Sequence, residues 1–356
     1  MAPAASARAP VRVGIIGGGA MGRTHARIIA REEQAELVGC ADPVSDAAAH
    51  EFGVPHFSDH HALLAMTGLD AVIISNPNSF HVETALDCLA AGVPALLEKP
   101  VAINFAEARL LAAAAAASAT PILVGHHRRH HPAVSAARSL IASGGLGRIV
   151  AVNGLWLTRK PDSYFEQRWH RSAGAGVMLI NLVHDLDLLR HLCGEIVSIQ
   201  ASTSNALRGH EVEETASVIF EFENGALGSF LISDAAVSPW GWDQNTEDDP
   251  TYPFNPSVSC YSIAGTRGSL AFPQMAHFSH PGRADGIAAD WTHPLSLSFD
   301  ATGTGDSYTN QLRHFVAVVR GEAVPLVSVS DAAATLALIE AAQTAAVTGV
   351  AQRIPL

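Results

Sequence analysis

Apolar residues fall in two rhythms along this chain, and the rhythm changes near Gly125. Before it, short runs of Val, Ile and Leu alternate with stretches whose apolar residues recur every three or four positions. The runs at 11–16, 36–41, 54–57, 70–75, 94–97 and 121–124 predict buried strands. The stretches between them predict helices over 20–31, 45–51, 60–66 and 79–91, the last closed by Gly92, and a long Ala-rich helix capped by Asn104. Strands that alternate with helices are joined by crossovers, which makes neighbouring strands parallel. Residues 1–125 are therefore expected to form a doubly wound parallel sheet of the α/β class.

Beyond Gly125 a helix is expected over 132–142, a strand over 148–157 and a helix over 176–192. Strands then follow one another at 197–203, 215–222, 226–233, 257–264, 269–272 and 295–299. Asn224 and Gly225, between two of these runs, are a two-residue hairpin signal, because both tolerate positive φ. Successive strands joined by turns give a mostly antiparallel open sheet. Residues 126–356 are thus expected to form a second α/β domain, whose closing helices over 306–320 and 330–348 can pack back on the first. Residues 238–256, rich in Trp, Asp, Asn and Pro, read as a long loop suited to a lid or a subunit contact.

Composition narrows the class. The 356 residues are 48% hydrophobic and 16% charged, enough to core two domains. A formal net charge of -12 argues against nucleic acid as a partner. No run approaches the roughly 18 apolar residues that span a bilayer, so no membrane span is expected. The small-residue start lacks the apolar stretch of a secretion signal. Cys40, Cys88, Cys193 and Cys260 are scattered without metal-binding or redox spacing, as expected of a cytoplasmic protein. Of 22 basic residues only Lys99 and Lys160 are lysines, which hints at a task that the broad fork of Arg does not suit.

The first strand runs into Gly17, Gly19 and Gly22, a GxGxxG pattern placed between a strand and a helix. That context reads as a dinucleotide site: a tight turn at Gly17, close approach of a pyrophosphate at Gly19, and close packing of helix on strand at Gly22. Ala20 and Met21 open the helix whose N-terminus faces the anion. Asp42 ends the second strand, 20 residues past the last glycine, where a carboxylate accepts the adenosine ribose hydroxyls and repels a 2′-phosphate. No Arg or Lys occurs in 43–49, so NAD is expected rather than NADP.

The stretch 70–100, with Ser75-Asn76-Pro77-Asn78, then His81, then Glu98-Lys99-Pro100, resembles the Gfo/Idh/MocA family of glucose–fructose oxidoreductase and inositol dehydrogenase relatives. Gly125-His126-His127-Arg128-Arg129 resembles that family's strand-to-helix joint, and 174–194 its active-site helix. The resemblance implies a Rossmann domain followed by an α/β domain whose sheet forms a homodimer or homotetramer interface. It also implies cofactor contacts from Asn76, Pro77, His81, Glu98 and Lys99, a cis Lys99–Pro100 peptide, and His127 and Arg128 lining the pocket.

Oxidising a secondary alcohol needs a proton acceptor and a positive donor for the developing alkoxide. Lys99, just past the fifth strand at the carboxyl edge of the sheet, suits the donor role. His184 suits the acceptor, and Asn181, three residues earlier on the same expected helix, suits an orienting role. Many family members carry an Asp where this chain has Ile180, which leaves the base role to His184 alone. Trp156, Tyr164 and Trp169 bracket Arg168 and His170, and aromatic faces with Arg and His donors suit a polyhydroxylated ring. The cluster His126, His127, His130 and His131 has no accompanying carboxylate or Cys, so no metal is expected. The expected function is NAD-dependent oxidation of a ring hydroxyl on a sugar, anhydrosugar or cyclitol. The rivals are a dehydrogenase or reductase of a dihydrodiol or ketone, and a non-catalytic NAD-binding regulator.

Overall fold

The structure is a computed structural model that describes residues 8–172, 174–280, 289–303 and 305–354. The first seven residues of the amino-terminal tail lie outside the described residues. The chain divides into two units, one of residues 1–127 with 308–336 and the other of residues 128–307 with 337–356.

The first unit holds strands β1 (Val11–Ile16), β2 (Ala35–Ala41), β3 (His56–Phe57), β4 (Ala71–Ile74), β5 (Ala95–Leu97) and β6 (Ile122–Val124). Its helices are α1 (Ala20–Ile29), α2 (Ala47–Phe52), α3 (His60–Leu64), α4 (His81–Ala91) and α5 (Phe105–Ala117). The sheet order is β3-β2-β1-β4-β5-β6 with every pair parallel. β4, β5 and β6 are buried at every position, which is why they read as continuous apolar runs. Strand order reverses direction at β1, with β2 on one side and β4 on the other. Ligands of open α/β sheets bind at such a switch point, outside the carboxyl ends of the strands. Asn104 caps α5 as expected, accepting the Glu107 amide.

The second unit begins with α6 (Pro132–Ala142), β7 (Ile149–Leu157), α7 (Val183–Cys193), β8 (Ile196–Ser204), β9 (Thr215–Phe222), β10 (Leu227–Ser233) and α8 (Trp242–Thr246). It continues through β11 (Tyr261–Gly265), β12 (Gly268–Phe272), β13 (Ala276–Ser279) and β14 (Ser296–Phe299). From Tyr308 on, α9 (Ser307–Val319) counts with the first unit, as does α10 (Val329–Thr348) up to Leu336, and the rest of α10 and β15 (Gln352–Arg353) count with the second. The nine strands are ordered β14-β13-β12-β11-β7-β10-β9-β8-β15. Every pair is antiparallel except β7 with β10. Gly225, at φ 84°, closes the expected hairpin between β9 and β10.

One face of this sheet carries the core. Trp156, Phe220, Phe230, Ile232, Tyr261 and Phe272 form one buried cluster with Leu182, Leu186 and Leu189. Each such side chain contributes roughly 1.5–3 kcal/mol by leaving water. Three expectations fail here for local reasons. The strand expected from 257 starts only at Tyr261, because Ser257 turns back to donate both its amide and its hydroxyl to Asn255 Oδ1. The short strands β13 and β15 were missed, having too few residues to show a period. The helix expected over 176–192 is regular only from Val183, and Met178–Leu182 form a wide π turn ahead of it.

Candidate active site

The turn after β1 is built by steric exclusion. Gly17 sits at φ 99°, and a Cβ there would lie 2.5 Å from the Asn76 amide nitrogen. A Cβ on Gly22 would lie 2.0 Å from the Gly17 carbonyl oxygen, so α1 can approach the strand only as glycine. At Gly19 nothing lies within 4 Å of where a Cβ would stand. That open flank leads to the N-terminus of α1, which no side chain caps, so Ala20 and Met21 present the positive end of the helix. Asp42, past β2, accepts the Gly18 amide through Oδ2 at 2.8 Å and the Val44 and Ser45 amides through Oδ1 at 2.8 and 3.1 Å. It is half-buried, and Oδ2 keeps a lone pair for a ribose hydroxyl. The glycine cradle, the uncapped helix and this carboxylate fit NAD.

At the end of β5 the structure separates the residues that brace the site from those that can present themselves to it. Glu98 is 6% exposed and holds His25 Nε2 at 2.7 Å through Oε1. Burial pushes its carboxyl up, yet the His25 hydrogen bond and charge, with Lys99, bring it below the ordinary carboxylate range. Lys99 is half-buried, and its bond to Pro100 is cis. His81 is 1% exposed, with its ring nitrogens 2.8 Å from the Pro100 carbonyl and 3.0 Å from that of Asn76. The Asn76 Nδ2 donates to Thr84, while Pro77 is exposed. His81 and Glu98, expected as cofactor contacts, therefore spend their polar atoms inside the unit and fix the loops carrying Asn76 and Lys99. His127 stacks on Tyr308 at 4.3 Å between ring centres, a partner that sequence reading did not find.

In the second unit the wide turn begins at Gly176, where a Cβ would meet the Glu213 carboxylate at 2.1 Å. The same carboxylate accepts the Met178 amide at 3.0 Å and so caps the helical start. Burial pushes the Glu213 pKa up, and the hydrogen bond from Met178 moderates the rise. His184 is 7% exposed and Asn181 half-buried. Asp185 accepts Arg128 at 2.7 Å and the Tyr261 hydroxyl, and Asp187 accepts Arg129 twice, at 2.8 and 2.7 Å. Arg128, expected on the substrate, is 3% exposed and anchors α7 instead. Trp156, also expected there, is fully buried in the core and donates Nε1 to Asp243. Arg168 and Trp169 are exposed, and Tyr164 and Trp169 each lie 3.7 Å from the His170 ring centre. Lys160, singled out only by the lysine count, is 9% exposed and donates to Asn181 Oδ1 at 2.9 Å. His131 caps α6 by accepting the Ala133 amide through Nδ1.

This fold and cradle define a two-unit, dinucleotide-binding oxidoreductase. Residues 11–126 match the model of the oxidoreductase family with an NAD-binding Rossmann fold, and residues 134–271 match the GFO/IDH/MocA C-terminal domain. The chain belongs to the GFO/IDH/MocA family. It is 25% identical over 342 residues to scyllo-inositol 2-dehydrogenase (NAD(+)) of Bacillus subtilis, covering 92% of this chain and 91% of that one. It is 28% identical over 301 residues to levoglucosan dehydrogenase of Pseudarthrobacter phenanthrenivorans, covering 74% and 73%. A solved levoglucosan dehydrogenase, in complex with NADH and levoglucosan, shares the fold with a TM-score of 0.79 at 22% identity, over 98% of this chain and all of that one. No helix among the described residues is long and apolar enough to cross a membrane.

Proposed function

We propose that the protein oxidises a ring secondary hydroxyl of a sugar, anhydrosugar or cyclitol with NAD. The observation that carries this reading is Lys99 at the carboxyl end of a Rossmann strand, its backbone fixed by the buried Glu98–His25 pair. The relatives named for inositol and levoglucosan oxidation support the substrate class. When bound, NAD would supply the acceptor for the hydride of the carbinol carbon. Lys99 donates to the oxygen of that carbinol and stabilises its developing charge. His184 takes the hydroxyl proton, and Asn181 orients the substrate. Gly17, Gly19, Ala20, Met21 and Gly22 would hold the pyrophosphate and Asp42 the ribose, while Arg168 and Trp169 are the exposed donor and aromatic face for further hydroxyls.

The test is NADH absorbance over a panel of cyclitols, anhydrosugars, aldoses and dihydrodiols. At least one ring polyol is expected to be turned over. Lys99→Met is expected to abolish that turnover while leaving the NAD dissociation constant within about twofold. Surviving activity would refute the role of Lys99, and turnover confined to dihydrodiols would refute the substrate class.

We further propose a homodimer or homotetramer formed through the outward face of the nine-stranded sheet. Leu227 and Ile219 on that face are 60% and 58% exposed, beside the small residues Ala151, Ser229 and Ala264. A sedimentation mass near 37.3 kDa would exclude it. All four cysteines are free and buried, which suits a reducing compartment such as the cytoplasm. Recovery of the native protein outside the cytoplasmic fraction would count against that placement.

A further inference from the structure

Lys160 is the second of two lysines in a chain with 22 basic residues, and it is 9% exposed. Its Nζ lies 2.9 Å from Asn181 Oδ1, 3.5 Å from Asp234 Oδ2 and 4.7 Å from the centre of the Tyr164 ring. Asp234 does not depend on it for charge, because the Arg208 guanidinium binds both the Asp234 carboxylate and, at 2.7 Å, its backbone carbonyl. Burial pushes the Lys160 pKa down, Asp234 opposes that and Arg208 adds to it. The shorter contact of this desolvated amine is thus with a neutral amide, although a carboxylate stands beside it.

That choice has a chemical consequence for Asn181. A lysine nitrogen can only donate to a carbonyl oxygen, so it dictates which end of the carboxamide faces it. Oδ1 is spent on Lys160, and Nδ2 has no protein partner among the described residues. Asn181 sits in the wide turn Met178–Leu182, three residues before His184, and its side chain is half-buried rather than closed off. We infer that Lys160 is a positioning residue of the substrate site, which locks Asn181 as an obligate donor and so selects a substrate bearing an acceptor oxygen there. An ether, carbonyl or hydroxyl oxygen satisfies this, and a group able only to donate does not. The inference rests on the reading that Asn181 faces substrate.

The experiment is a double-mutant cycle on the best polyol of the panel, with Lys160→Met, Asn181→Ala, the pair, and Lys160→Gln, whose amide also donates. Lys160→Met is expected to lower kcat/KM by about 10–100-fold, the range for losing a hydrogen bond to substrate, with the NAD dissociation constant unchanged. Asn181→Ala is expected to cost as much, the pair no more than Asn181→Ala alone, and Lys160→Gln is expected to recover most of the loss. Should Lys160→Met fail to fold, the comparison is made with Lys160→Gln in the Asn181→Ala background, where recovery is expected to vanish. If Lys160→Met costs as much with Ala at 181 as with Asn, Lys160 acts through something else and the inference is overturned. If Asn181→Ala retains full kcat/KM, the reading of Asn181 as a substrate contact fails first, and the inference falls with it.

Discussion

The pair Arg129–Asp187 offers a quantitative test of what holds α7 in place. Asp187 is 1% exposed and Arg129 5%, and two parallel hydrogen bonds of 2.8 and 2.7 Å join them. Replacing Arg129 by Met leaves a carboxylate in the interior without its guanidinium. Breaking a buried pair from one side costs about 3–5 kcal/mol, because the remaining charge keeps its desolvation penalty. Asp187→Leu strands the cation and is expected to cost a similar amount. The double variant Arg129→Met with Asp187→Leu removes both charges, and is expected to lie within about 1–2 kcal/mol of the unmodified chain. All five tryptophans, Trp156, Trp169, Trp240, Trp242 and Trp291, lie in the second unit, so their fluorescence reports its unfolding selectively. Urea titrations followed by that signal give the midpoint shifts, which convert to free energy through the slope of the transition. If the double variant shows the sum of the two single losses, to within about 0.5 kcal/mol, the two side chains are uncoupled and the argument fails.

Two further outcomes follow from the first unit. Gly22→Ala forces a Cβ to within 2.0 Å of the Gly17 carbonyl oxygen, so helix or turn must shift. We expect a loss of about 1–3 kcal/mol in stability from overpacking and at least roughly tenfold weaker NAD binding by calorimetry, and unchanged NAD affinity would count against the cradle. The Glu98 carboxyl lies below its unfolded value of about 4.3, so its contribution to stability is complete above that value and is lost as pH falls through the lower folded one. Without His25 burial dominates and the folded value rises. In melting curves from pH 3 to 7, His25→Leu should therefore be less stable than the unmodified chain at neutral pH and should lose less stability as pH falls, so that the two curves converge toward pH 3, and superimposable profiles would contradict the assignment.

The parts that sequence reveals are those where one residue's covalent geometry decides the matter. Gly17 and Gly22 could be read because any side chain at either place collides with backbone. The same holds for Asn104, which caps its own helix, and for the apolar runs of β4 to β6, whose neighbours cover both faces. What stayed hidden depends on distant partners. Arg128 and Trp156 have the composition of a sugar-binding surface, yet Asp185 and Asp243, 57 and 87 residues away, draw them inward. The π turn leaves no periodic signature, since five residues are shorter than the window in which 3.6 and 4.4 residues per turn differ. His81 and Glu98 stand in the motif and hold the loops that carry Asn76 and Lys99, because a motif marks where a residue matters without telling support from contact.

The second unit shows why that distinction matters chemically. Consecutive arginines, Arg128 and Arg129, pair with Asp185 and Asp187 on the two sides of α7's first turns, immediately after His184. Apolar residues there would pack as tightly, yet they would tolerate a slip of the helix along or about its axis. Two buried charge pairs favour one register, since a slip parts both arginines from their carboxylates on α7. A base that must meet a hydroxyl proton within hydrogen-bond reach cannot drift by an ångström without losing rate. On the proposed role of His184 as the base, the pairs serve its position, and the near-native stability expected of Arg129→Met with Asp187→Leu should come with a reduced kcat.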